Sequence, residues 1–111
     1  MDWNKKQLDG RLEDVMDPVD LAGKFRAFGF DTQTVCGWDV EAIYRAIEQA
    51  KATPGKPHAI ILDTIKGMGI DFAEKEEFNH YLTFGPETAE AAVAEIERRF
   101  AAGTYPGGDC Q

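Results

Sequence analysis

Several kinds of feature are scarce in this sequence, and each scarcity excludes something. It holds only two cysteines, Cys36 and Cys110, too widely spaced for a metal site and too few for a disulfide framework. A reducing compartment is therefore the default, the cytoplasm, with Cys36 as a small buried hydrophobe at a strand end rather than a nucleophile. No apolar run approaches the roughly 20 residues of a membrane span, and the polar N-terminus is unlike a secretory signal. Basic residues are in the minority: 12 Lys and Arg stand against 20 Asp and Glu, a net charge of −8, and they form no cluster. Nucleic acid and anionic membrane, both bound mainly through Lys and Arg patches, are accordingly not expected as partners. There is no internal repeat and no low-complexity segment.

What is present is the composition of a globular domain. Of 111 residues, 43% are hydrophobic and 11% aromatic, far from a disordered chain. A domain of this size buries roughly 65% of its unfolded surface, enough for one modest core. Acidity does not forbid a phosphorylated ligand, provided a divalent cation stands between carboxylates and phosphates.

The pattern along the chain alternates strand and helix. A short strand ends near Trp3. Asp17-Pro18-Val19-Asp20 presents an N-cap aspartate followed by proline at the first helical position, so a helix is expected there, with Leu21, Phe25 and Phe28 as its apolar stripe and Gly29 as its stop. Phe30 to Cys36, carrying Thr32, Thr34 and Val35, reads as a strand. Asp39 caps a second helix over Val40 to Ala52, with Ile43, Ala46, Ile47 and Ala50 on one face. His58 to Ile65 contains the continuous run Ala59-Ile60-Ile61-Leu62, the mark of a strand buried on both faces. The chain then turns irregular from Lys66 to Tyr81, where the acidic stretch Glu74 to Glu77 reads as a solvated face. A last helix starts near Pro86 or Glu87, burying Ala89, Ala92, Val93, Ile96 and Phe100 and closed by Gly103. This is an α/β chain: a partial parallel sheet of three strands with flanking helices, its edges left for other strands to cover.

Ligands in α/β proteins gather beyond the carboxyl ends of strands. Asn4 stands at such an end, and its amide oxygen is a hard donor suited to Mg²⁺ or Ca²⁺, with the backbone carbonyl of Lys6 spaced to join it. From spacing alone, such an asparagine reads more simply as the stabiliser of a turn through its own backbone. His80 alone reads as a polar loop residue, His58 as solvating the entry of its strand, and Gly67-Met68-Gly69 as a place where backbone passes close to something.

Four segments taken together carry a resemblance. Asp2-Trp3-Asn4-Lys5-Lys6-Gln7-Leu8-Asp9-Gly10, continuing through Leu12-Glu13-Asp14-Val15-Met16, is similar to the part of transketolase that runs on from a metal-binding asparagine. Phe25-Arg26-Ala27-Phe28-Gly29-Phe30 resembles that family's W/F-R-A-F-G-W element, Gly37-Trp38-Asp39 its D-G-H-D turn, and Asp63-Thr64-Ile65-Lys66-Gly67-Met68-Gly69 its K-T-x-K-G-x-G strand end. They occur in the family's order over nearly the whole chain, and resemble most the separate amino-terminal subunits of split transketolases. The resemblance implies part of a thiamine-diphosphate-binding fold. In it, residues 1–103 form the carboxyl-terminal half of the diphosphate-binding domain and residues 104–111 a flexible tail.

Residue by residue, the resemblance implies Asn4 as the ligand of Mg²⁺ (or Ca²⁺) that also touches the cofactor diphosphate. Lys6 falls where the main-chain carbonyl ligates the metal, and His80 where a histidine contacts the diphosphate and handles the sugar. The sequence departs from the family in placing Asn79 and Tyr81 around that histidine, Asp63 where a basic residue is usual, and Met68 where a lysine or bulky residue is common. The family's Gly-Asp-Gly element, which supplies the anionic metal ligand, belongs upstream of Asn4, where the sequence has only Met1 before Asp2.

The implied activity is transfer of a two-carbon ketol group between ketose and aldose phosphates, as in the pentose phosphate pathway, using thiamine diphosphate and Mg²⁺. The implied partners are sugar phosphates, a second copy in a homodimer, and a carboxyl-terminal transketolase subunit. The chain is expected to be a fragment, inactive alone. Two alternatives stay open: a non-catalytic interaction module derived from the same fold, or part of another thiamine-diphosphate enzyme, such as a xylulose-phosphate synthase or a dehydrogenase decarboxylase. The Gln7-Leu8-Asp9-Gly10 continuation speaks for transketolase over the latter.

Overall fold

A computed structural model describes residues 1–104. The expectation of a loose tail falls, from residue 105 onward, outside the described residues. In chain order the elements are β1 (Asp2–Trp3), β2 (Lys6–Gln7), β3 (Gly10–Arg11), α1 (Leu12–Val15), α2 (Leu21–Ala27), β4 (Asp31–Cys36), α3 (Val40–Ala52), β5 (His58–Asp63), α4 (Asp71–Lys75) and α5 (Pro86–Ala101). The expected α/β class holds. β1, β5 and β4 lie side by side in that order as a parallel sheet, and β2 and β3 form a small antiparallel ribbon beside it.

The register of the sheet decides where chemistry can be placed. Trp3 and Cys36 both pair with Asp63, so the three strands end on one row. The residues that follow, Asn4, Gly37 and Thr64, therefore leave the sheet at the same edge. Cys36, at the end of its strand, is half-buried.

β5 occupies the centre. Ala59, Ile61 and Asp63 alternate onto a buried face, with Ile61 fully enclosed. The opposite face, carrying Ile60 and Leu62, is only half-buried, so the strand is enclosed on one side rather than two. α2 and α3 pack against β4, and α3 also against β5. Ala46 is the buried point of α3, whose backbone carbonyl accepts a bond from the Gln33 side-chain amide at 3.2 Å.

Three helical expectations need correction. α2 starts at Leu21, capped by Asp20, whose carboxylate accepts the Gly23 N–H at 2.7 Å. Asp17 instead accepts the N–H of Val19, a residue held at φ +53° and so outside any right-handed helix. At the other end, the Gly29 N–H bonds to Arg26 O and the Phe30 N–H to Phe25 O, with the Phe25 and Phe30 rings 5.3 Å apart. This Schellman closure swings Phe30 onto the helix in place of Phe28, which is 83% exposed. On α5, Ala92 is buried as expected and Ala89 and Ile96 half-buried, but Val93 and Phe100 face outward. The inner face of that helix instead uses Arg99 and Glu95, engaged with Asp71 at the start of α4.

Among the described residues no helix is long and apolar enough to cross a membrane.

Candidate functional site

The carboxyl edge of the sheet opens into a cleft of about 210 Å³, lined by Asn4, Lys5, Lys6, Arg11, Trp38, Asp63, Thr64 and Ile65. Two of the three sequence-derived candidates, Asn4 and Lys6, are brought together here by a tight turn. The Asn4 amide oxygen accepts the Lys6 N–H at 3.0 Å, which forces Lys5 between them to φ +62°, a conformation that costs a non-glycine residue about 1–2 kcal/mol.

The strained turn is tied to the sheet by the Lys5 side chain. Its ammonium ion-pairs with the Asp63 carboxylate, donates to Thr64 O at 3.2 Å and lies 5.1 Å from the centre of the Trp3 ring. Asp63 is 7% exposed, and a carboxylate that deep needs a counter-charge. Burial pulls the Lys5 pKa below the ordinary 10.5, and the Asp2 charge pushes back.

A second chain of bonds runs over the same edge. The Thr64 hydroxyl donates to one oxygen of Asp2, and the Asn4 side-chain nitrogen donates to the other at 2.7 Å. Lys6 reaches the opposite way, its ammonium bonding to Glu76 O at 2.7 Å and Glu74 O at 3.3 Å at the end of α4. The acidic stretch is thus more than a solvated face, since the Glu74 carboxylate also takes the Gly69 N–H at 2.7 Å. What passes close to Gly67 proves to be α4: a Cβ there would lie 2.8 Å from the Ala73 carbonyl.

His80 stands apart. It is exposed, does not line the cleft, and has the Lys66 ammonium 3.1 Å from Nδ1 and the Tyr81 ring against it. Its loop is pinned by Asn79, whose amide donates to Lys66 O at 3.0 Å and Ala73 O at 2.7 Å. His58 bonds Thr53 O at 2.8 Å at the entry of β5, as its position suggested.

A divalent cation would find one neutral oxygen here, the Asn4 amide, which keeps one lone pair beyond its bond to the Lys6 N–H, with the Lys6 backbone carbonyl as the second donor that the resemblance implies. These are hard donors suited to Mg²⁺, but they are half of a site, because nothing in the pair opposes the ion's charge. Among the described residues no three His, Cys, Asp or Glu side chains converge to hold a metal. The donor chemistry therefore fits the ion only when an anionic ligand and a phosphate group complete the sphere.

No local sequence pattern marks Lys5, Asp2 or Thr64 as site residues. One signal was available for Asp63: the alternation of β5 puts it on the face of Ala59 and Ile61, where an acid demands a partner.

Comparison with known proteins bears on the family and the fold. Residues 1–104 match the model of the family described as transketolase, thiamine diphosphate binding domain. The chain is 41% identical over 100 residues to 6-deoxy-6-sulfo-D-fructose transketolase subunit SqwG of Clostridium sp. (strain MSTE9), covering 90% of this chain and 36% of that one. It is 36% identical over 99 residues to one of the apulose-4-phosphate transketolase subunits of Actinobacillus succinogenes, covering 86% and 34%. A crystal structure of transketolase from Pichia stipitis in complex with fructose-6-phosphate superposes with a TM-score of 0.56 at 20% identity, over 91% of this chain and 18% of that one, which speaks for the fold. The chain thus spans about a third of the curated subunits' length. With residues 1–104 matched and the parallel sheet in place, this chain belongs to the transketolase family and carries part of its thiamine-diphosphate-binding domain.

Proposed function

We propose that this chain supplies the metal- and diphosphate-docking edge of a transketolase, with residues 1–103 as the later half of the cofactor domain. The observation that carries the reading is the turn at Asn4, which sets an amide oxygen and the Lys6 backbone beside a cleft at the shared carboxyl end of three parallel strands. Mg²⁺ would be held by Asn4 Oδ1 and the Lys6 carbonyl, an anionic ligand coming from elsewhere in the assembly. Thiamine diphosphate, when bound, supplies the carbanion-stabilising chemistry of ketol transfer. The chain's own residues orient it: Asn4 through the metal and the diphosphate, and His80 by donating to phosphate or moving a proton near the sugar.

The substrates proposed are a ketose and an aldose phosphate, in keeping with relatives named for 6-deoxy-6-sulfo-D-fructose and apulose-4-phosphate. The partners proposed are a carboxyl-terminal subunit, since those relatives are named as transketolase subunits, and a second copy of the assembly, working in the cytoplasm. A non-catalytic interaction module is the second reading, favoured by the amount of apolar surface left outward, Phe28 and Phe100 included.

The test joins this chain to the Gly-Asp-Gly segment of a relative, supplies the companion subunit, and titrates thiamine diphosphate with Mg²⁺. Binding and ketol transfer should appear, and Asn4→Ala should weaken cofactor binding by at least about tenfold, as loss of a metal-site contact does. Binding unaffected by Asn4→Ala would overturn the assignment. An assembly that forms but binds no cofactor would favour the interaction module.

A further inference from the structure

We infer that Asp2, braced by Thr64, is a positioning residue that fixes the Asn4 side-chain amide with its oxygen, not its nitrogen, turned toward Lys6. The inference rests on the reading of Asn4 as a metal ligand, because an amide is useful to a cation only through its oxygen.

The argument is one of donor and acceptor chemistry. A carboxylate can only accept and a backbone N–H can only donate. Asn4 has the first on its Nδ2, at 2.7 Å, and the second on its Oδ1, at 3.0 Å. Rotating the amide by half a turn would set its oxygen against the Asp2 carboxylate and its NH₂ against the Lys6 N–H, two repulsive contacts in place of two bonds. Asp2 in turn cannot swing away freely. Its other oxygen receives the Thr64 hydroxyl, and Thr64 is tied to the adjacent strand by its own N–H, which bonds to Trp3 O at 3.3 Å. Orientation is thus relayed from the end of β5 through Thr64 and Asp2 to Asn4. The first link crosses between neighbouring strands, where Asp2 pairs with Leu62 and Trp3 with Asp63, and the second is local to the end of β1.

The experiment uses the full 111-residue chain labelled with ¹⁵N, and reads the Asn4 side-chain NH₂ signals, assigned by their loss in Asn4→Ala. In the wild type these protons should exchange slowly and show no close approach to the Lys6 N–H. Asp2→Ala should speed their exchange about tenfold, the scale of one charge-assisted hydrogen bond lost, and bring a cross-peak between the NH₂ and the Lys6 N–H as flipped amides populate. Asp2→Asn should restore the wild-type pattern, since its amide oxygen still accepts from Asn4 while the Thr64 hydroxyl rotates to accept from its NH₂. In the assembly completed by the Gly-Asp-Gly segment and the companion subunit, with thiamine diphosphate present and Mn²⁺ as the probe, the Mn²⁺ concentration that half-fills the site should rise about tenfold in Asp2→Ala and stay near wild type in Asp2→Asn.

Exchange unchanged in Asp2→Ala, or Asp2→Asn as disruptive as Asp2→Ala, would overturn the inference. A completed wild-type assembly that binds no Mn²⁺ would instead count against the metal reading, while the exchange data still decide whether Asp2 orients the amide. The backbone amides of β5 report whether each variant keeps its fold.

Discussion

At the scale of single residues, the edge of the sheet is held by an ion pair that composition alone gives no reason to suspect. Asp63 is enclosed, and its lysine partner is 42% exposed, so the pair lies between a surface bridge and a buried one. Removing the lysine leaves the acid without its counter-charge, so Lys5→Met should lower stability by about 1–3 kcal/mol, less than the 3–5 of a wholly buried pair. Replacing both, as Lys5→Met with Asp63→Leu, should recover most of it. Urea melts of the two variants check this, and equal losses in both would refute the pairing argument. Function at this scale was only partly legible. Asn4 and Lys6 stand out as metal donors only through the resemblance; spacing alone makes Asn4 a turn stabiliser, and its bond to the Lys6 N–H is that turn. The orienting groups Asp2 and Thr64 were hidden because they are 62 residues apart in sequence, joined only by parallel pairing that no local pattern displays. His80 resembled a family histidine, yet its own loop holds it outside the cleft. As the group assigned to phosphate and proton handling, His80→Ala in the completed assembly should cut kcat/KM by about 100-fold and weaken thiamine-diphosphate binding with it. An unchanged kcat/KM would leave it a loop residue.

At the scale of elements, local chemistry was a good guide where the cap and the stripe agreed. α3 runs over the expected Val40–Ala52, because the Asp39 carboxylate meets the Ala42 N–H at 2.9 Å and no competing cap lies nearby. α2 starts later than the sequence pattern predicts because Asp17-Pro18 imitates a cap followed by a first helical residue, while the true cap, Asp20, lies three residues on. The two aspartates therefore separate cleanly. Asp20→Ala should cost about 1 kcal/mol, the usual loss at an N-cap, and Asp17→Ala much less, as thermal melts would show. The β2–β3 ribbon escaped notice because each strand is two residues long, although Asp9-Gly10 was a usable turn signal. α4 is held as much by charge as by propensity. Lys75 and Arg99 both bind the Asp71 carboxylate, and its pKa falls below the ordinary 3.8 chiefly through the Lys75 hydrogen bond. A carboxyl depressed on folding contributes stability above its unfolded pKa and loses it as pH falls through the folded one. The α4–α5 junction should thus loosen first below about pH 4. Asp71→Asn should flatten that acid limb, read as hydrogen exchange of α4 amides against pH.

At the scale of the whole molecule, the apolar residues outnumber the places found for them. Ile61 is the one large side chain fully enclosed among the described residues, while Met16, Val19, Phe28, Val40, Tyr81 and Phe100 are each more than three-quarters exposed. The radius of gyration is 16.6 Å, against about 13 Å for a compact domain of this length. The sequence predicted this tension in one respect, since a parallel sheet of three strands leaves edges unpaired. It could not show how much of each helix's apolar stripe would face outward, because periodicity identifies a face without identifying what covers it. Large apolar side chains left outward in this number are of the kind that a partner or a neighbouring part of a fold covers. Studied by itself, the chain should therefore bind the dye ANS and associate with rising concentration, and its thermal transition should be broad, since so little of it is enclosed. Supplied with the completing segment and companion subunit of the proposed assembly, it should lose the ANS signal and melt in one sharper step. A chain that is monomeric, dye-silent and sharply cooperative by itself would mean that these apolar faces cover one another in solution, and the case for a larger assembly would then rest on the Asn4 turn alone.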